Sequence, residues 1–169
     1  MNAPANLDAA RAKLREALRL HTVERIDDAL AAAEDALALD PTLADAHAYI
    51  GNTLVTRRRA YPEGIAALER AAALAPQDPT IWFTLGWCQE FAANALAHPR
   101  GRRREDPRGL VPDDLYGAAM RSMLHARTLD PDEALLGDIE DILDVISRET
   151  GVPWESEVER TCDAAPAAG

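Results

Sequence analysis

A small residue, an apolar residue and a proline recur at one fixed spacing along the chain, and this repeat constrains the fold most. The apolar residue follows the small one by four positions, and the proline follows eight positions later. A small side chain lets two helices approach closely, and a proline after a helix prevents its continuation. The spacing therefore predicts antiparallel helix pairs. The three sets are Ala29/Ala33/Pro41, Gly64/Leu68/Pro76 and Ala119/Met123/Pro131.

The segments that follow two of these prolines also match each other. HAYIGNTL spans residues 47–54 and WFTLGWCQ spans residues 82–89. The pattern resembles the tetratricopeptide repeat, W-x-x-L-G-x-x-Y, then A-x-x-x-F, then P, and Trp82, Leu85 and Gly86 match its first element. The chain departs from the family's Tyr and Phe positions. The residues that stand there are Leu54 and Gln89, and then Ala33, Leu68 and Met123.

The resemblance covers about residues 10–147. It implies an all-α, right-handed solenoid of helix pairs, with about three repeats and a C-terminal capping helix. No stretch alternates like a β-strand, which agrees with this class. We therefore expect a repeat domain over 1–149, with an Arg-rich insertion at about 98–112, and a partly disordered tail over 150–169.

Helix start and stop signals set the predicted bounds. Asn6 and Asp78 are candidate N-caps, Pro62 lies near a first turn, and Pro79 occupies a first helical position. Pro99 ends the helix before it. The predicted helices cover about 7–22, 25–39, 43–58, 62–75, 79–97, 113–129 and 133–149.

The last predicted helix has the pattern of a cap. Its apolar side chains Ile139, Ile142, Leu143 and Ile146 recur at helical spacing, and acidic residues occupy the rest of its surface. The terminal unit of a solenoid needs a polar outer face for solubility.

An insertion interrupts the third repeat. Pro41 and Pro76 lie 35 residues apart, whereas Pro76 and Pro131 lie 55 apart. The excess falls between the two helices of one pair and contains HPRGRRREDPRGL, residues 98–110. Insertions in a repeat map to loops on one face, which is often the binding face.

Aromatic residues predict a binding groove. Phe83, Trp87 and Phe91 are spaced i, i+4, i+8 on a helix that is also apolar on its packing face. The resemblance implies that these residues, with Tyr49 and Asn52, line the concave surface where peptides dock. The alternative is an intramolecular cover, in which Leu110 and Val111 fold back over the aromatic residues.

A second candidate site is a basic rim at the turns between paired helices. Equivalent turns of stacked repeats lie on one edge, so these arginines are expected to be neighbours. Arginine suits carboxylates and phosphates, so an acidic partner, a second copy or nucleic acid could bind; the alternative is a solvated loop. The rim comprises Arg57, Arg58, Arg59, Arg100, Arg102, Arg103, Arg104 and Arg108.

Charge and motifs narrow the function classes. The net charge of −11 disfavours nucleic acid, since phosphates repel such a chain. Residues 130–163 hold twelve acids and two arginines, which could meet the rim of another copy. No nucleophile, phosphate-loop or metal-ligand motif is present, so we expect no enzyme activity, cofactor or metal.

The N-terminus shows no signal peptide, and no apolar run reaches the roughly 18 residues of a membrane span. We expect a cytoplasmic, bacterial protein that does not bind membranes. Its expected function is a non-enzymatic scaffold that binds a peptide or protein through the concave face. The alternative is a homo-oligomeric module assembled from basic rim and acidic C-terminal segment.

Overall fold

The chain is mostly helical in residues 3–99 and 109–154, which are the residues that the computed structural model describes. Seven α-helices and one π-helical turn lie within these ranges, and no strand does. Their bounds are α1 Ala3–Thr22, α2 Ile26–Leu39, α3 Ala44–Thr53, the π turn Leu54–Arg58, α4 Tyr61–Leu74, α5 Pro79–Ala97, α6 Pro112–Arg127 and α7 Glu133–Thr150.

Most of the predicted helix ends are confirmed. The Asp78 carboxylate accepts hydrogen bonds from the backbone N–H groups of Thr80 and Ile81, as an N-cap does, and Pro79 begins α5. Such a cap stabilises a helix by about 1 kcal/mol. The predicted cap at Asn6 is wrong, because α1 begins at Ala3 and Asn6 lies inside it.

The predicted helix over 43–58 divides in two. Its α-helical part ends at Thr53, and Leu54–Arg58 form a wider π turn that closes at Arg59, which has a left-handed φ of 54°. A π turn accommodates one residue more than an α turn. The π turn lies between Pro41 and Pro76, which are 35 residues apart, one more than the family's usual period of about 34.

The helices pack as consecutive antiparallel pairs. The pairs are α1 with α2, α3 with α4, and α5 with α6, and α7 packs against α6 and α5. Helix α5 also contacts α3 on one side and α7 on the other. Alternate helices therefore lie side by side and share one face. The fold is an all-α helical repeat, as predicted.

The small residues of the repeat lie where paired helices touch. A Cβ added at Gly51 would stand 2.6 Å from the Gly64 carbonyl oxygen and 2.6 Å from Leu68 Cγ. A Cβ added at Gly86 would stand 3.1 Å from Met123 Cγ. The predicted roles of the small and apolar repeat positions are thus confirmed at these two crossings.

The buried side chains form one large cluster and two small ones. The large cluster joins α4 to α7 and contains Leu68, Met123 and Leu143. The two small clusters join α1, α2 and α3 and consist mainly of alanines. The core is therefore bulkier toward the C-terminal half of the array.

Helix α7 covers the end of the array, as predicted for a cap. Ile139, Leu143 and Ile146 are buried, and Ile142 packs against the same cluster. Gly151 then ends the helix in a left-handed conformation.

The chain turns back after α7 instead of leaving the surface at once. Trp154 Nε1 donates a hydrogen bond of 2.8 Å to Asp144 Oδ1. The guanidinium of Arg127 lies 5.1 Å from the Trp154 ring centroid. The rest of the predicted tail, residues 155–169, lies outside the described residues.

Candidate functional site

The aromatic stripe, Phe83, Trp87 and Phe91, runs along one face of α5. All three side chains are half-buried and pack against the large core cluster. The rings of Trp87 and Phe91 are stacked, with centroids 5.6 Å apart and planes inclined by 28°. The stripe is thus a semi-rigid apolar surface that keeps part of its area in contact with solvent.

The other faces of α5 show where the stripe points. Gly86 and Gln89 face α6, since Gly86 meets Met123 and the Gln89 amide oxygen accepts a 2.8 Å hydrogen bond from the Ser122 hydroxyl. Cys88 faces α3. By helical spacing, the stripe lies on a side of α5 different from the sides that carry Gly86, Gln89 and Cys88.

The two residues of the predicted cover differ in burial. Leu110 packs against the large core cluster, whereas Val111 is 47% exposed. All three side chains of the stripe remain partly exposed. Among the described residues, the aromatic surface is accessible.

Tyr49 lies apart from the stripe, contrary to its predicted place beside it. Its ring packs into the two small clusters of α1, α2 and α3. Its hydroxyl lies 2.9 Å from His21 Nδ1, and the two rings meet edge-on with centroids 5.7 Å apart. Burial raises the pKa of Tyr49, and a hydrogen bond with Thr53 opposes that rise. Tyr49 therefore joins α3 to α1.

Asn52 contacts α5, the helix that carries the stripe. Its amide oxygen accepts a weak hydrogen bond of 3.8 Å from the Cys88 thiol, which immediately follows Trp87. Burial raises the pKa of the Cys88 thiol to about 12, so the thiol stays protonated and unreactive. The contact holds the Asn52 side chain at the junction of α3 and α5.

The basic rim is only partly within the described residues. Arg57 pairs with Glu24 at 3.3 Å and Arg58 pairs with Asp27, so both arginines bind the turn of the preceding helix pair. Arg59 is exposed. These contacts confirm that the first two turns lie on one edge. The five insertion arginines, Arg100, Arg102, Arg103, Arg104 and Arg108, lie outside the described residues.

A cluster of ionisable groups that the sequence analysis missed lies where α5, α6 and α7 meet. We call it the Glu90–Glu149 cluster, and it includes the hydroxyl of Tyr116. Glu90 is half-buried, and its pKa is raised by burial and then by the charge of Glu149. One signal could have found it, because Glu90 is the single charged residue in the 19 residues of α5.

Tyr116 is the buried member of this cluster. It is 3% exposed, and its hydroxyl has no hydrogen-bond partner within the described residues 3–99 and 109–154. Its pKa is raised first by burial and then by the charges of Glu149 and Glu90; Asn94 opposes the rise without meeting hydrogen-bond geometry. The hydroxyl therefore lies in the negative potential of both carboxylates.

Gln89 and Ser122 form a buried polar pair that the sequence analysis also missed. Each residue is 4% exposed, and the bond between them links α5 to α6. A satisfied buried hydrogen bond fixes one arrangement of two helices, because breaking it leaves polar atoms unpaired. The pair thus fixes the rotation of α5 and, with it, the direction of the stripe.

The described residues contain neither a candidate metal site nor a helix that could span a membrane. Within 3–99 and 109–154, no three His, Cys, Asp or Glu side chains are grouped closely enough to hold a metal ion. No helix in the same ranges has the length and apolar character needed to cross a membrane.

The fold and the accessible stripe define an all-α helical repeat protein. The structure is similar to the N-terminal domain of stress-induced protein-1 (STI-1) from C. elegans, with a TM-score of 0.53 and 14% identity. The match covers 81% of this chain and 96% of that one, and it shows a shared fold. Comparison with known protein families finds no match. Comparison with curated proteins finds none either.

Proposed function

We propose that the chain is a non-enzymatic scaffold that binds a peptide or protein segment along the aromatic stripe. One observation carries the proposal: Phe83, Trp87 and Phe91 form a half-buried apolar stripe along one side of α5, in which the Trp87 and Phe91 rings are stacked. Helical repeat arrays use such extended surfaces for binding. Large aromatic side chains in partly desolvated positions are the typical centres of protein interfaces.

The stripe is preorganised for binding. The Trp87 and Phe91 rings stack on each other, and the Gln89–Ser122 hydrogen bond fixes the orientation of α5, which carries them. A preorganised surface loses little conformational entropy on binding. Asn52 lies beside this surface with its amide oxygen engaged, so its amide nitrogen is the group that would donate to a peptide carbonyl.

Selection of peptides from a random displayed library tests this function. We expect the chain to enrich peptides with two or more apolar side chains. Trp87→Ala should weaken binding of the selected peptides at least about 30-fold, the effect of losing a central aromatic contact of about 2 kcal/mol.

Trp154→Ala is the matched control, because Trp154 is also half-buried against the large core cluster but lies after α7. Its peptide affinity should match that of the unmodified chain. Circular dichroism of both variants checks that they fold. Selected peptides that bind equally well to a folded Trp87→Ala variant would refute the groove.

Self-assembly of the chain through its basic rim remains an alternative prediction. Fewer rim arginines are free to bind a second copy than the sequence indicated. Arg57 and Arg58 are engaged by acidic residues of the same chain, so they contribute less positive charge to a second copy. Light scattering at low and high salt measures whether copies associate. A monomer at every concentration in low salt would exclude this assembly.

A further inference from the structure

We propose that His21 is a pH-sensitive contact that holds Arg57 of the basic rim to the first helix pair and releases it when the imidazole is protonated. The inference goes beyond the proposed function, because it concerns the rim and not the aromatic stripe. His21 lies half-buried in the last turn of α1. Its Nδ1 lies 2.9 Å from the Tyr49 hydroxyl, and its Nε2 lies 3.5 Å from Arg57 Nη2. One imidazole of the first pair therefore makes two contacts with the second pair.

The Arg57 guanidinium determines which nitrogen of the neutral imidazole carries the proton. A guanidinium has N–H donors and no acceptor, so the Nε2 that faces Arg57 is the accepting nitrogen. A neutral imidazole has a single N–H, which therefore lies on Nδ1 and donates to the Tyr49 hydroxyl oxygen. The rings of His21 and Tyr49 meet edge-on with centroids 5.7 Å apart, which holds the imidazole in this orientation. Both ring nitrogens are satisfied in this tautomer.

Protonation turns one of these two contacts from attraction into repulsion. The imidazolium carries an N–H on both nitrogens, so the bond from Nδ1 to the Tyr49 hydroxyl is kept. Its Nε2–H would point at a guanidinium that can only donate, with two positive groups 3.5 Å apart. Arg57 therefore turns away from the ring, and its exposed position leaves room for this movement.

Glu24 is the acceptor that can replace Arg57 as the partner of the protonated ring. Its Oε1 lies 3.3 Å from Arg57 Nη2, the same nitrogen that faces His21. The backbone N–H of Glu24 donates a 3.0 Å bond to the His21 carbonyl oxygen, which keeps the turn beside the ring. A carboxylate accepts a charge-assisted hydrogen bond from an imidazolium as it does from a guanidinium. Protonation thus exchanges the partner of Glu24 and frees Arg57.

Two neighbouring ion pairs stay in place during this exchange. Arg25 pairs with Asp28 at 2.7 Å, and Arg58 pairs with Asp27. Neither pair contains an imidazole, the group whose ordinary titration falls between about pH 5 and pH 8. Acidification through this range therefore frees Arg57 and leaves Arg58 bound. The ionisable groups of the elements around His21 are Tyr49 of α3, Arg57 and Arg58 of the π turn, Glu24 and Arg25 of the turn after α1, and Asp27 and Asp28 of α2.

The test is ¹⁵N NMR of the full labelled chain from about pH 8 to about pH 5. The ring nitrogen shifts of His21 should show the proton on Nδ1 at the upper end and on both nitrogens at the lower end. The heteronuclear NOE of the Arg57 Nε–Hε group should lose most of its value as His21 is protonated, because a freed side chain moves on the ps–ns timescale. Arg58 is the internal reference and should keep its NOE.

His21→Gln removes the titration and can keep both contacts. Its amide oxygen can accept from Arg57 while its amide nitrogen donates to the Tyr49 hydroxyl. The Arg57 NOE of this variant should stay high over the whole range.

His125→Gln is the matched control, because His125 also lies in the last turn of its helix and meets an aromatic ring edge-on, that of Trp82. It should leave the response of Arg57 unchanged. A proton on Nε2 of the neutral His21, an Arg57 NOE that does not change with pH, or the same change in His21→Gln would each overturn the proposal. Peptide binding to the stripe is measured through Trp87, so its failure would not affect this contact.

Discussion

The first two helix pairs and the last three helices follow one architectural plan but differ in how well their polar groups are satisfied. In α1 to α4, Arg57 and Arg58 pair with acids of the neighbouring turn, and the Tyr49 hydroxyl has His21. In α5 to α7, the Tyr116 hydroxyl has no hydrogen-bond partner in the part of the chain that the structure describes, and burial and the charge of Glu149 raise the pKa of Glu90.

This difference agrees with the groove that we propose. Violations of local packing rules are typical of functional sites. The aromatic stripe lies on the same helix as Glu90. Under our proposal the partner therefore binds the C-terminal half, and the N-terminal half supports it.

The two helix crossings should respond most differently to an added methyl group. Gly51→Ala places a Cβ 2.6 Å from the Gly64 carbonyl oxygen, which is backbone, so α3 and α4 must separate. We expect a loss of about 3 kcal/mol in the free energy of unfolding, measured by urea denaturation. Gly86→Ala meets the Met123 side chain at 3.1 Å and the Ala119 carbonyl oxygen at 3.2 Å, so a shift of a few tenths of an ångström relieves it. Its loss should be about 1 kcal/mol or less, because alanine's helix propensity offsets the contact.

Gly137→Ala is the control for both crossings, because nothing lies within 4 Å of its added Cβ. It should raise stability by up to about 1 kcal/mol through helix propensity alone. Similar losses for Gly51→Ala and Gly86→Ala would show that the two crossings are equally tight.

Removing a tyrosine hydroxyl should have opposite effects in the two halves. Tyr116→Phe deletes a buried hydroxyl that has no partner, so it should stabilise the fold by about 1 kcal/mol. Tyr49→Phe deletes the bond to His21 and should destabilise it by about 1 kcal/mol. Urea denaturation of both variants measures the difference. A loss of stability in Tyr116→Phe would mean that the hydroxyl is satisfied in solution.

Glu90→Gln should raise stability in a pH-dependent way. The folded-state pKa of Glu90 is raised above its ordinary value, so the folded chain loses stability as pH rises through that range and Glu90 ionises. The glutamine of the Glu90→Gln variant does not ionise, so the variant does not lose this stability as pH rises. Its melting temperature should exceed that of the unmodified chain by about 2 °C at neutral pH, and the gap should close below the ordinary glutamate range.

The groups around Glu90 shape this profile. Glu149 lies on α7, Tyr116 and Asp113 on α6, and His98 at the end of α5. Thermal unfolding followed across the acidic range measures it. A gap of constant size at every pH would show that charge at Glu90 is not the cause.

The smallest effect is expected at the paired rim. Arg58→Gln removes the exposed ion pair with Asp27 and should lower stability by about 0.5 kcal/mol or less. The loss should shrink in high salt, because salt screens exposed charges. Arg70→Gln, at an exposed position of α4, should change little. Equal effects of the two substitutions in urea denaturation would mean that the Arg58–Asp27 pair contributes nothing to the stability of the fold.

The sequence predicted what depends on local periodicity. Helix positions, the Asp78 cap and the role of Gly64 and Leu68 at a crossing follow from spacing within one repeat. The resemblance to the tetratricopeptide pattern added the stacking of the pairs. It also assigned Trp82, Leu85 and Gly86 to the packing side of α5, and of these Leu85 and Gly86 are buried.

Contacts between distant segments were beyond such reasoning. The Arg58–Asp27 pair joins residues 31 apart, and the side of α3 that Tyr49 takes depends on how α1 packs beside it. The Glu90–Glu149 cluster needs three helices in one arrangement. A lone glutamate in α5 marks the position in the sequence, but its neighbours emerge only from the packing of α6 and α7.

The π turn before Arg59 affects how the helices beyond it are rotated relative to those before it. One residue inserted into an ideal α-helix would rotate everything beyond it by about 100° about the axis. Here the π turn at Leu54–Arg58 accommodates one additional residue, and Gly51 still faces Gly64 across the pair. The same turn carries Arg57 and Arg58 to the preceding pair. A length change that would otherwise break the repeat is thereby confined to one turn, and its side chains tie consecutive repeats together.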